Sequence, residues 1–275
     1  MFEIWRILTI QVTMGYSFIV RTNAGTICLC LLGAMFFLFW LGGRLRGKWQ
    51  IRDLEPRGGI VVIQSALLGL FGFILAFTFN MSGSRYDYIR NVYITESNAI
   101  GTAILRANLY SDSVRQEFHG HFKEYLESRI SIYNRHSDAE QIRASKIRGN
   151  NAADSLWRVA MRQSKEPNML ITTNLMVPAL NEMFDTASER DILLRTSIPD
   201  LIIYLLLTLA LLVSFTAGIT ATGEFAIRDL IVISCFIIFT ALIIYTTLDL
   251  GRPLRGLIRA SAAEQALSDL RQLLQ

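Results

Sequence analysis

The chain has 275 residues, of which 52% are hydrophobic and 18% charged, and its mean hydropathy is +0.35. That is too apolar for an ordinary water-soluble enzyme, so the excess must be concentrated in particular segments. Lys plus Arg at 27 against Asp plus Glu at 23 leaves a net charge of +4; the charge is dispersed, with no basic arm, which excludes a nucleic-acid protein. The three cysteines, Cys28, Cys30 and Cys235, fall inside apolar runs, so neither a disulfide framework nor a zinc pair is indicated.

In chain order, Met1 to Asn23 is apolar but interrupted by Glu3, Arg6, Gln11 and Arg21. It has no net-positive stretch ahead of an apolar one. This predicts an interfacial segment over 1–25 rather than a cleaved signal peptide. Four runs without a single Asp, Glu, Lys or Arg follow: Thr26 to Gly43, Ile60 to Phe79, Leu201 to Ile219 and Leu230 to Leu248. Each matches a ~30 Å hydrocarbon core at ~1.5 Å rise per residue. None shows period-2 alternation, so all four are predicted as transmembrane α-helices rather than barrel strands. Two spans therefore lie in 26–80 and two in 199–250.

Residues 81–198 hold most of the charge in nearly balanced signs, and their apolar positions recur at three and four. Val92, Ile100, Ile104 and Leu105, then Phe118, Phe122, Tyr125 and Leu126, then Leu175, Leu180 and Phe184 read as helix faces. The second span is expected to continue as one long helix into this layer. Met169 to Ser197 returns as another long helix, kinked at Pro178. Gly149-Asn150-Asn151 and Ser164 to Asn168 break the pattern and are expected to be loops. In 251–275, Leu254, Leu257, Ile258, Leu267, Leu270 and Leu274 form an amphipathic tail that packs on the layer or lies at the interface. The fold class is thus an all-α membrane protein with four transmembrane helices per subunit and a helical extramembrane layer.

Basic residues near the span ends favour both termini inside. Arg6, Arg21, Arg85, Arg90, Arg190, Arg195, Arg252, Arg255 and Arg259 then lie within, against Arg44, Arg46, Lys48, Arg52, Arg57 and Arg228 outside.

The second span carries the most information. At 3.6 residues per turn, Ser65, Gly69, Gly72, Ala76 and Gly83 share one narrow stripe that lets a neighbouring helix approach closely. About 80° round the helix stand Phe73 and Phe77, with Gly69 and Asn80 between the two rows and Ser84 continuing the aromatic one. Two roles are open for the aromatic pair: ordinary packing against other spans of the same subunit, or a narrow apolar constriction if several copies gather round an axis. Asn80 and Ser84 would then wet the exit. Arg85, Asp87, Arg90 and Glu96 follow, either steering ions at a pore mouth or forming intersubunit and i,i+4 ion pairs.

His119 and His121, near Glu117 and Glu124, diverge by about 200° on a helix and read as surface histidines rather than metal ligands. No catalytic triad, phosphate loop or intramembrane carboxylate relay is visible, so neither an enzyme nor a cofactor is expected. A proton-coupled transporter would need a charge within the spans.

The run from Phe73 through Arg85 resembles the neck helix of bestrophin channels. Arg85-Tyr86-Asp87, Glu96-Ser97-Asn98-Ala99-Ile100-Gly101-Thr102 and Leu105-Arg106 resemble more closely the bacterial bestrophin-like domain family. So do Ala179-Leu180-Asn181-Glu182-Met183-Phe184-Asp185 with Arg190, and Leu248-Asp249 ahead of Arg252-Pro253-Leu254-Arg255-Gly256. The likeness covers roughly residues 60 to 260 with one span added in front. It implies a symmetric homo-oligomer, a pentamer, in a bacterial inner membrane, with an axial pore whose neck rings fall on Gly69, Phe73 and Phe77. Gly69 has no side chain, leaving two bulky rings. Calcium-gated bestrophins carry a dense acidic clasp after the last span, whereas this chain has Asp249 and then Arg252, Arg255 and Arg259, so calcium gating is not expected. The expected function is a passive channel for monovalent ions, anions by the resemblance and by the arginines near the mouths. The alternative is a non-conducting membrane protein whose layer binds a partner or senses membrane state.

Overall fold

The structure, a computed structural model, describes residues 22–48, 59–132, 139–196, 198–221, 227–251 and 261–274. Among these the regular elements are all helical: α1 (Ala24–Lys48), α2 (Gly59–Ala107), α3 (Asp112–Ile132), α4 (Ala139–Gln163), α5 (Leu170–Arg195), α6 (Asp200–Thr220), α7 (Ile227–Leu250), α8 (Ser261–Asp269) and a closing 3-10 turn, Leu270–Leu274. Four of them, α1, α2, α6 and α7, are long and apolar enough to cross a membrane. The interfacial segment expected over 1–25 falls almost wholly outside the described residues, as do Leu254, Leu257, Ile258, Arg252, Arg255 and Arg259.

The chain divides into two compact units: Met1–Gly83 with Ser197–Arg252, and Ser84–Thr196 with Pro253–Gln275. The first contains α1, the opening half of α2, α6 and α7. Its helices are runs of Leu, Ile, Phe and Ala in which several hydroxyls bond back within the same helix: Thr208 Oγ1 to the Tyr204 carbonyl at 2.8 Å, Thr246 Oγ1 to that of Leu242 at 3.0 Å. That leaves little polar demand for a neighbour to meet, as a lipid setting requires. Cys28, Leu31, Met35 and Phe39 of α1 follow one another at three and four residues and are buried against Ile203, Leu206, Ala210 and Val213 of α6 and Ile237, Ile244 and Leu248 of α7. On the same α1 line, Gly42 meets α6 backbone to backbone. A Cβ on Gly42 would lie 2.4 Å from the Phe215 carbonyl oxygen, and one on Gly218 would lie 2.1 Å from that of Phe39. Only glycine allows this approach.

The second unit contains the later half of α2, α3, α4, α5, α8 and the closing turn. Ile100 and Ile104 of α2, Phe118, Phe122 and Leu126 of α3, Leu156 of α4, Met176, Leu180 and Met183 of α5 and Leu267 of α8 are buried in one core. Leu105 and Leu175, assigned to the same faces from the sequence, are exposed. Leu270 and Leu274 pack on that core, and Arg271 clasps Glu127 of α3 with Nε and Nη2 at 2.7 and 2.8 Å. The described part of the tail, 261–274, thus lies on the layer. Ser164 to Asn168 form the turn between α4 and α5, with Asn168 at φ 67°, a left-handed value that asparagine tolerates. The expected loop at Gly149-Asn150-Asn151 is absent: these residues sit inside α4. Gly149 serves helix contact instead, because a Cβ there would stand 2.6 Å from Ser128 Oγ of α3. α5 runs through Pro178 as one helix.

Candidate functional site on the second helix

α2 is 49 residues long, about 74 Å at the helical rise. Within its apolar half only a narrow line is covered by the rest of the chain, with Phe71 3% exposed and Thr78 and Ser82 fully buried. Phe73 is 68% exposed and Phe77 53%. Ser65, Gly69, Gly72, Ala76, Asn80 and Ser84 are exposed too, and no atom lies within 4 Å of a Cβ built on Gly69, Gly72 or Gly83. Ser65 Oγ turns inward to the Val61 carbonyl at 3.0 Å. Of the four spans, this one is the least buried. Among the described residues the aromatic pair is therefore not packed on its own subunit, and the small-residue stripe beside it is equally uncovered.

The charges that follow part company. Arg85 donates from Nη2 to the Leu193 carbonyl at 2.7 Å and to the Thr196 carbonyl, and from Nη1 to Thr196 Oγ1 at 3.4 Å. Its guanidinium thus caps the C-terminal end of α5, where carbonyls lack helical partners and the dipole favours a cation. Tyr88 donates its hydroxyl proton to Glu189 of α5. Asp87 and Arg90 are exposed. Arg106 donates to the Leu175 carbonyl.

Glu96 does not face Arg85, Asp87 or Arg90. It is fully buried, its Oε1 accepting from Arg129 Nε at 2.7 Å and its Oε2 standing 2.7 Å from Arg190 Nη1. Asp191 closes the group, 3.8 Å from Arg129, 3.4 Å from Arg190 and 3.0 Å from Lys146 Nζ. Tyr93 and Tyr125 lie under the two guanidiniums, with ring centres 5.7 Å from Arg190 and 6.0 Å from Arg129. Burial pushes the Tyr125 phenol up to about 12. Burial lowers Arg190, and neighbouring Arg129 adds to that; for Arg129 the same desolvation is outweighed by Glu96, Tyr125 and Asp191, which raise it. Desolvation would raise Asp191, but Arg129, Arg190 and Lys146 outweigh it and hold the carboxyl below its ordinary range. The cluster ties together α2, α3, α4 and α5. It contains carboxylates and cations in mutual contact and no nucleophile paired with a base, so its chemistry is ionic fastening.

The sequence reading included Glu96 but not its partners. A signal was present, because Glu96 falls on the apolar line Ile89, Tyr93, Glu96, Ile100, Ala103 of α2. Arg129 likewise falls on Phe118, Phe122, Tyr125, Arg129 of α3, and Arg190 on Met176, Leu180, Met183, Arg190 of α5. A charge in register with a buried stripe must find a counter-charge there.

A family model described as Bestrophin-like domain matches residues 29–265. Among solved structures, a single-residue variant of a bacterial bestrophin homolog from Klebsiella pneumoniae superposes with a TM-score of 0.66 at 15% identity, covering 92% of this chain and 99% of that one. A second variant of the Klebsiella pneumoniae homolog gives 0.63 at 17% identity, covering 88% and 98%. The homolog phased from zinc gives 0.62 at 15%, covering 87% and 98%. At such identities the likeness is one of fold. No curated protein matches the sequence.

Proposed function

Because the chain belongs to the Bestrophin-like domain family, we propose that it is a passive, homo-oligomeric ion channel whose hydrophobic neck is lined by α2. The observation that carries this is the uncovered state of that helix: Phe73 and Phe77 are 68% and 53% exposed within the subunit, beside an equally bare stripe of small residues. Four helices of one chain cannot enclose a path. Copies joined through the stripe of Ser65, Gly72 and Ala76 turn the aromatic row towards a common axis, and the number proposed, from the resemblance, is five. Phe73 and Phe77 then form two apolar rings that close by dewetting, Gly69 leaves the outer position wide, and Asn80 and Ser84 wet the exit. The assembly sits in a bacterial inner membrane with both termini cytoplasmic.

Monovalent ions are the permeant class, since an uncharged neck selects mainly through dehydration. The expected anion preference rests on the resemblance and on the arginines near the mouths; Arg85 is held by neutral carbonyls at the end of α5, which fixes its position and leaves its charge in place. Calcium does not gate the channel. The ion takes about six to eight oxygen ligands, and after the last span the chain offers Asp249 followed by three arginines.

Single-channel recording of the purified protein in planar bilayers tests the neck. Phe73→Ala and Phe77→Ala should each raise the unitary current several-fold. A measurable conductance that neither substitution changes would remove α2 from the neck. Absence of any conductance would favour a non-conducting membrane protein whose layer binds a partner.

A further inference from the structure

Within the helical layer, α2 and α5 lie side by side and antiparallel: Arg85 reaches the Leu193 carbonyl, Tyr88 the Glu189 carboxylate and Arg106 the Leu175 carbonyl. Tyr88 and Arg106, five turns apart, share one line of α2, and that line marks the flank turned to α5. Arg90 comes two residues after Tyr88, about 200° round the helix, and is exposed on the flank turned away from α5. On α5, Glu182, Asp185 and Glu189 follow at three and four residues and are exposed as one row. The pairings put Asp185 level with about residue 93 of α2, roughly 5 Å along the axis from Arg90. Glu189 is engaged by Tyr88. Among the described residues no salt bridge includes Asp87, Arg90, Glu182 or Asp185. One subunit thus bears a bare cation on the outer flank of α2 and bare carboxylates on α5 at nearly the same height, and α2 itself keeps the two apart.

We propose that Arg90 of each copy pairs with Asp185 of the next, so that successive layers join head to tail through unlike surfaces. This rests on the channel reading above and names a contact that closes the ring within the layer. A cyclic ring of more than two copies needs a heterologous contact, one surface against a different one. Rotation about an axis along this part of α2 leaves heights unchanged. Arg90 and Asp185 meet both conditions, being opposite in charge, on different helices and at neighbouring heights. The long arginine side chain spans the remaining offset, and its fork of N–H donors fits a carboxylate. Glu182, one turn along the row from Asp185, adds to the field that steers the approach. Because both surfaces face water before they meet, the contact sets register and direction more than affinity, and salt weakens it.

The test uses the full chain with Cys28, Cys30 and Cys235 replaced by serine, into which Arg90→Cys and Asp185→Cys are introduced together. A short bis-maleimide applied to native membranes should join copies into a ladder that runs past the dimer, because each copy then carries both halves of the contact. Either cysteine alone should give no ladder. In the otherwise native chain, Arg90→Glu should raise the concentration at which the detergent-purified oligomer dissociates roughly tenfold, and Asp185→Arg should do the same. The two reversals combined should return it to within about twofold of the wild type. Both residues are exposed, so each variant is first shown to unfold at the wild-type temperature. A double-cysteine chain that stays monomeric or stops at the dimer, or reversals whose effects add when combined, overturns this inference while leaving the channel reading standing. A wild type that is monomeric in the native membrane overturns both.

Discussion

At Glu96 a carboxylate with no solvent exposure stands between two guanidiniums whose side chains are 0% and 8% exposed. Such a set holds together only when complete, because each charge removed leaves its partners uncompensated in a medium that solvates them poorly. Glu96→Gln keeps the shape and removes the charge. It should destabilise the helical layer by about 3 to 5 kcal/mol, seen as a lowered midpoint when the detergent-purified protein is unfolded thermally. The exposed clasp between Arg271 and Glu127, with side chains 48% and 47% exposed, should contrast: Arg271→Gln costs under about 1 kcal/mol. The sequence made the position of Glu96 legible but not its partners, since Arg129 and Arg190 come from helices that only folding brings alongside α2. Arg85 shows the same limit. Its place at the start of a charged stretch left ion steering and ion pairing both open, and its partners are the bare carbonyls that end α5.

Among the elements, glycine has two opposite uses. Gly42 and Gly218 lie where α1 and α6 touch through their backbones. Gly218→Ala would drive a methyl group into the Phe39 carbonyl, and neither backbone can yield without parting the helices. We expect a loss of at least about 1 to 3 kcal/mol, again read from thermal unfolding. Gly72 has nothing within 4 Å, so Gly72→Ala should leave the fold of the subunit intact. Composition alone does not separate these cases, nor did it separate Gly149, which looked like a chain break and is a contact with Ser128. The length of α2, by contrast, was legible. Between Ile60 and Ala107 no proline interrupts the pattern, and the change from apolar to mixed composition alters the surroundings of a helix rather than ending it.

At the scale of the whole molecule, a subunit that leaves its second span largely uncovered must be finished by lipid or by its own copies. The substitution Gly72→Cys, in a chain whose Cys28, Cys30 and Cys235 are replaced by serine, separates the two. If copies meet through the small-residue stripe, mild oxidation should yield cross-linked dimers from the native membrane. A Gly72→Cys chain that stays monomeric at every oxidant concentration would place the stripe in lipid.

The sequence by itself determined where the spans lie, that α2 continues beyond the bilayer, and which residues share its aromatic and small-residue faces. Those properties are carried by runs and periods along one helix, and need no knowledge of its neighbours. Only the tertiary structure decided which faces are covered, that Glu96 is buried among arginines, and that Arg85 closes the end of α5. Burial and pairing depend on groups from helices distant in the chain, and the period of a single helix records which side a residue occupies but not what stands opposite it.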